Sequence, residues 1–180
     1  MIRAAKLENQ LYEEVERDVN ATTQALTVVL IVAVATGIGS ALGGILRGQL
    51  GAAIIGLIVG IIGAVVFWAI WSFLNYFIGT KVFGGTATYG ELLRTVGFAD
   101  SPNVLQILSF IPVLGGIIAF VAGIWTVVAT VIAVRQALDF DTTKAIITVV
   151  ISFVIIFIII AILGIFGLGA AMMGGAVLGR

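Results

Sequence analysis

The chain has 180 residues, of which 61% are hydrophobic and 10% charged, with a formal net charge of zero and a mean hydropathy of +1.26. An ordinary soluble domain is about half apolar and a quarter charged, so most of this chain is solvated by lipid, and the absence of a basic field excludes a nucleic-acid partner. There is no cysteine and no histidine, which excludes disulfides, thiolate chemistry and the commonest metal and haem ligand.

Residues 1–20 read as one amphipathic helix. Leu7, Leu11, Val15 and Val19 form its apolar row, and Lys6, Glu8, Glu13, Glu14, Glu16 and Arg17 fill the rest. The balance is acidic, so attraction to anionic lipid does not hold it. The stripe is expected to pack on the membrane domain or lie at the interface; the alternative is a docking surface for a partner helix. The charges do not suit a signal peptide, so the first apolar run is expected to be a retained span.

That run, residues 24–46, is the first predicted span, with Gly39 and Gly43 as a GxxxG pair. The second, residues 50–79, is long enough to tilt. It carries a second pair, Gly56 and Gly60, an expected aromatic belt at Trp68, Trp71 and Tyr76, and one strongly polar residue, Asn75. The GxxxG pairs have two readings: packing inside the chain, or contact with another copy or a partner.

The interval 81–112 is the least apolar. Gly84-Gly85 breaks the helix, and residues 89–99 are expected to form a short amphipathic helix in which Glu91 and Arg94 can pair. Ser101-Pro102 starts a new helix, since proline suits a first turn, and Pro112 interrupts it. From 102 to 111 a helix rises only about 15 Å, half a bilayer. The predicted third span is therefore 91–111, with a re-entrant half-helix as the alternative. Residues 113–138 form the fourth span. A polar connection follows, with Asp141 as the expected N-cap of a last span at 143–168. The glycine-rich tail to Arg180 extends that helix, frays or returns to the interface.

The expected fold is all-α: a polytopic transmembrane helical bundle of about five spans, preceded by an amphipathic N-terminal helix. Residues 1–22 form a cytoplasmic segment and 23–180 the membrane domain. With the N-terminus inside, Arg3, Lys6, Arg17, Lys81, Arg94, Arg135 and Lys144 are cytoplasmic and only Arg47 and Arg180 lie outside. That bias satisfies the positive-inside rule and places the C-terminus on the opposite side of the cell membrane.

In this order and spacing, KVFGGTATYGELLRTVGFADSP, FIPVLGGIIAFVAGIW and VRQALDFDTTKAIITVVI resemble the Yip1-domain family. They match its Gly-Gly loop and charged short helix, its third-to-fourth helix turn, and its polar connection before the last helix. The family's Gly-Tyr-x-x-x-Pro element stands here as Gly97-Phe98-Ala99-Asp100-Ser101-Pro102. The resemblance implies five transmembrane helices with a cytoplasmic N-terminus. Eukaryotic members are associated with prenylated Rab GTPases and carry an Asp-Leu-x-Gly-Pro element that is missing here; the chain looks more like the prokaryotic branch, to which a Rab role does not transfer.

No catalytic set assembles. Asp139 and Asp141 sit in a polar loop beside Arg135 and Lys144, where capping and surface pairing account for them, and Gly84-Gly85 lacks the phosphate-loop signature. The sharpest polar group is Asn75, Glu91, Arg94, Asp100, Asn103 and Gln106, which either lines a polar vestibule or lies solvated at the interface. The expected function is therefore non-enzymatic and without a cofactor or metal. It is that of a membrane scaffold or interaction protein, or an accessory subunit of a larger membrane complex. Its expected partners are the lipid bilayer and other membrane proteins or itself, met through small-residue helix faces and through residues 1–20 and 81–101. The alternative is a small-molecule or ion transporter or channel using the polar cluster at 91–106.

Overall fold

The computed structural model describes the backbone of residues 1–178 and the side chains of residues 1–51 and 53–165; the expectation for Arg180 lies outside these. The described residues form helices and no strand.

The N-terminal segment is two helices, α1 (Ile2–Ala5) and α2 (Asn9–Arg17), not one. The break is at Leu7, whose φ is 60°. The chain doubles back there, so that the Tyr12 hydroxyl donates to the Ala4 carbonyl (3.4 Å) and Arg3 pairs with Glu8 (2.8 Å) and Glu14 (2.7 Å). Leu11, Tyr12 and Val15 are buried, but Val19 is 74% exposed. The helix ends at Arg17 and Asp18 is extended, so the row of four cannot continue.

Next come α3 (Ala21–Leu46), α4 (Leu50–Lys81), α5 (Tyr89–Ala99), a 3-10 helix (Ser101–Leu108), α6 (Leu114–Ala137) and α7 (Thr142–Leu178). Among the described residues four helices are long and apolar enough to cross a membrane: Ala21–Leu46, Ala53–Lys81, Leu114–Ala137 and Thr142–Ile165. In hydrocarbon every backbone N–H and C=O must be paired within the segment, which leaves helix as the form such runs take. Their outward faces present Ile54, Ile58, Ile62, Phe120, Phe153 and Phe157 unburied, an arrangement stable in lipid and not in water.

The segment 91–111 is not a fifth continuous helix of this kind. Pro102 has no N–H to give the Phe98 carbonyl, so the α-helix stops; the Ser101 hydroxyl donates to that carbonyl instead (2.6 Å). The chain continues as a 3-10 helix with proline in its first turn. The α and 3-10 pieces rise about 16 Å each. They run alongside α3: a Cβ on Gly97 would touch Ala25, one on Gly39 would meet the Gln106 and Ser109 region, and one on Gly43 would lie 3.8 Å from Phe110. The broken segment therefore follows α3 from its first turns to its last. Pro112 and Val113 (φ 66°) then make a tight turn in which the Leu114 N–H donates to the Pro112 carbonyl (2.8 Å).

The ends of the elements are fixed by polar ties. At one end, Gln136 Nε2 donates to Glu13 (3.1 Å), Thr86 Oγ1 to Asp139 (3.2 Å), and Gly79 and Gly85 pack on Leu138. At the other, Gly44 packs on Ala53 and Gly115 on Ser109. Elements α3, α4, the broken segment, α6 and α7 thus alternate in direction. Asp141 accepts from the Lys144 N–H (3.0 Å) at the start of α7, the capping contact expected of it. Trp68, Trp71 and Tyr76 are half-buried: they pack against the buried cluster formed by Leu92, Val96, Val134, Leu138 and Val149, and Trp68 Nε1 donates to the Leu93 carbonyl (3.0 Å).

Candidate functional site

The polar residues singled out in the sequence separate into four places. Asn75 is fully buried in α4, where Nδ2 donates to the Trp71 carbonyl (2.8 Å) and Oδ1 has no partner among the described residues. Glu91 closes a capping box at the start of α5: its carboxylate accepts from the Thr88 N–H (2.8 Å), while its own N–H donates to the Thr88 hydroxyl (3.3 Å). That fixes Glu91 as a helix cap and leaves the expected pair with Arg94 unmade.

Arg94 turns the other way. It is 6% exposed, and its Nε donates to the Val15 carbonyl (2.8 Å) while Nη2 donates to the Glu16 carbonyl. These belong to the last turn of α2, whose carbonyls have no partner inside the helix, and a cation there also complements the helix dipole. The guanidinium is thus the latch that holds the N-terminal segment on the bundle. A second tie is Trp125 Nε1 to the Ala5 carbonyl (2.8 Å). No vestibule unites Asn75, Glu91 and Arg94 with the rest.

Beside this latch the carboxyl of Glu16 is pushed above its ordinary value, first by burial and then by the nearby charges of Glu91, Asp139 and Glu13, against the pull of Arg17. The docked state therefore holds that proton more tightly than the free segment does, so the group favours docking at low pH and this contribution is lost as pH rises through the raised value. Glu14, held low by Arg3, has the opposite sense and loses its contribution below the ordinary carboxylate range. Hydrogen exchange of residues 1–20, corrected for its intrinsic pH dependence, is expected to be slower near about pH 5 than near about pH 7.5. Glu16→Gln is expected to remove that difference and give the slower exchange at both.

Asp100, Asn103 and Gln106 do come together, and the 3-10 helix is the reason. At three residues per turn, side chains at i and i+3 eclipse, so these residues stand in one straight row that an α-helix would carry around its axis. Asn103 Nδ2 donates to Asp100 Oδ1 (2.7 Å), and Gln106 Nε2 to Asn103 Oδ1 (3.4 Å). The row forms the floor of a cleft of about 310 Å³ between α3 and α4, walled by Thr36, Gly37 and Ser40 on one side and Gly56, Gly60 and Ala64 on the other. Asp100 has no cationic partner among the described residues; its one hydrogen-bonded neighbour is an amide.

The glycine pairs divide. Gly39 and Gly43 pack inside the chain, whereas a Cβ on Gly56 or Gly60 would meet nothing within 4 Å. Sequence reading missed Thr36 and Ser40, which share a helix face at i,i+4. It also missed the three-residue period D-x-x-N-x-x-Q that continues to Ser109. That period, running across Pro102, was the available signal.

The family profile of the Yip1 domain matches residues 9–176. No curated protein and no solved structure matches the chain.

Proposed function

The chain belongs to the Yip1-domain family, and from that premise we propose that it is a non-enzymatic multi-pass protein of the cell membrane that docks other membrane helices, its own or a partner's, through α4. The observation that carries the reading is the row Gly56, Gly60 and Gly63, one face of α4 with nothing within 4 Å of an added Cβ. Glycine costs a helix about 1 kcal/mol relative to alanine, and elsewhere this chain uses glycine where backbones approach: at Gly39, Gly97 and Gly115. A small face admits a second helix closely, and among the described residues nothing packs onto Gly56, Gly60 or Gly63. Gly116 and Gly123 on α6 are also open, but the exposed Phe120 stands between them.

The surfaces expected at 1–20 and 81–101 support docking less well. The apolar side of α2 is spent on the bundle, and α5 is buried from Thr95 to Ala99. A transporter built on the whole polar group is also less well supported, since Asn75, Glu91 and Arg94 are engaged elsewhere. The alternating path of α3, α4, the broken segment, α6 and α7 supports five crossings. With Arg3, Lys6, Arg17, Lys81, Arg135 and Lys144 gathered at one end, the positive-inside rule makes that end cytoplasmic.

The chain has no cysteine, so single cysteines report contacts cleanly. In native membranes Gly56→Cys and Gly60→Cys are expected to crosslink to a neighbouring helix, and Ile58→Cys, on the lipid side, is not. Equal crosslinking at all three, or none at any, refutes docking through this face.

A further inference from the structure

We propose that the cleft on the 3-10 helix binds one monovalent metal cation, with the Asp100 carboxylate as its charge and Thr36, Ser40, Asn103 and Gln106 as neutral oxygen ligands. The site does not rest on the docking reading; the two share only the wall at Gly56 and Gly60.

The first observation is the charge. Asp100 faces the cleft with an amide as its one hydrogen-bonded neighbour. A carboxylate at membrane depth without a cation is costly. Arg47 folds back over Gly43 and is not in the lining. The wall contains no lysine or arginine, so the cleft does not suit an anion.

The second observation is independent of the first. Thr27, Thr80, Thr95, Thr130, Thr148 and Ser152 each silence their hydroxyl by donating to the carbonyl four residues earlier. Thr36 and Ser40 make no such bond among the described residues, and both line the cleft. They share the lining of the cleft with the amide row, and Gly56 and Gly60 on the α4 wall leave it open. The row itself is polarised: each amide N–H₂ is directed down towards Asp100, leaving the terminal Gln106 carbonyl oxygen free as an acceptor.

The third is the donor set. Hard oxygen ligands suit alkali and alkaline-earth ions, but divalent sites gather several carboxylates, and no cluster of three or more acidic or other metal-binding side chains exists among the described residues. One carboxylate with four neutral oxygens matches a single positive charge. The cavity of about 310 Å³ leaves room for an ion that keeps part of its hydration shell.

The test uses the full chain, purified in detergent, with NaCl or KCl replacing N-methylglucamine chloride at constant ionic strength. A cation at tenfold its dissociation constant is expected to raise the melting temperature by about 3–6 °C. Asp100→Asn, which keeps a side-chain oxygen for Asn103, is expected to abolish the shift. Gln106→Ala, which removes one neutral oxygen and leaves the carboxylate, is expected to raise the half-saturating concentration about tenfold; it carries the test should Asp100→Asn fail to fold. No shift with either ion, an equal shift in Asp100→Asn, or an unchanged half-saturation in Gln106→Ala overturns the proposal. So does a stronger Asp100-dependent shift with Ca²⁺ or Mg²⁺, which would reassign the site.

Discussion

Gly39→Ala and Gly115→Ala are each expected to destabilise the monomer by about 1–3 kcal/mol, lowering its melting temperature by about 2–4 °C for each kcal/mol. A Cβ on Gly39 would run into the Gln106 carbonyl oxygen and lie 3.0 Å from that of Ile107; one on Gly115 would run into the Ser109 carbonyl. These are backbone atoms of a short 3-10 helix wedged against α3 and α6, so the collision cannot be relieved by a rotamer change. Gly56→Ala and Gly60→Ala meet open space, and alanine is the better helix former. Both are expected to leave monomer stability within about 0.5 kcal/mol of the parent or to raise it. Melting curves of the four variants in detergent check the contrast. Four equal losses would mean that all four glycines serve internal packing, and the case for docking at α4 would go with them.

The same contrast shows what was legible in the sequence. Long apolar runs without charges dictate helices in lipid, so α3, α4, α6 and α7 could be read directly, and the capping position Asp141 follows from local chemistry. Two features were not legible. The path of the third segment depends on Pro102, which ends one helix type; the choice of a 3-10 helix next depends on Gly39 allowing α3 to come close. Hydrophobicity carries no trace of that choice. The partners of Glu91 and Arg94 were also hidden. Their i,i+3 spacing permits a local pair, but Arg94 instead reaches residues 79 and 78 positions away in sequence. The Glu91 carboxylate is already taken by the capping box at Thr88, and no spacing rule identifies which helix end will lie near Arg94. The GxxxG pairs are identical as text, yet only the one at Gly39 and Gly43 is filled from within.

Arg94→Ala is expected to release the N-terminal segment while the membrane helices remain folded. The guanidinium is the only side chain satisfying the Val15 and Glu16 carbonyls among the described residues, and hydrogen bonds to a charged group contribute about 1.5–3 kcal/mol each. Removing both, with water able to reach part of the vacated site, is expected to cost about 2–4 kcal/mol, a rise of about 30- to 1,000-fold in the undocked population. Trypsin cleavage at Lys6 and Arg17, both exposed, reads that population, and tryptophan emission follows the loss of the Trp125 bond to Ala5. Arg94→Lys is expected to fall between, since an ammonium is a single point charge and lacks the planar fork that reaches two carbonyls at once. A variant in which cleavage is unchanged would place the hold elsewhere, in the apolar burial of Leu11, Tyr12 and Val15. A variant that loses its whole melting transition would show that α2 is part of the bundle's core and not a latched segment. The geometry favours the latch because α2 meets the membrane helices through one buried side, one fork of buried hydrogen bonds and a single exposed bond from Gln136 to Glu13, and its remaining face, with Glu14 and Arg17, is exposed.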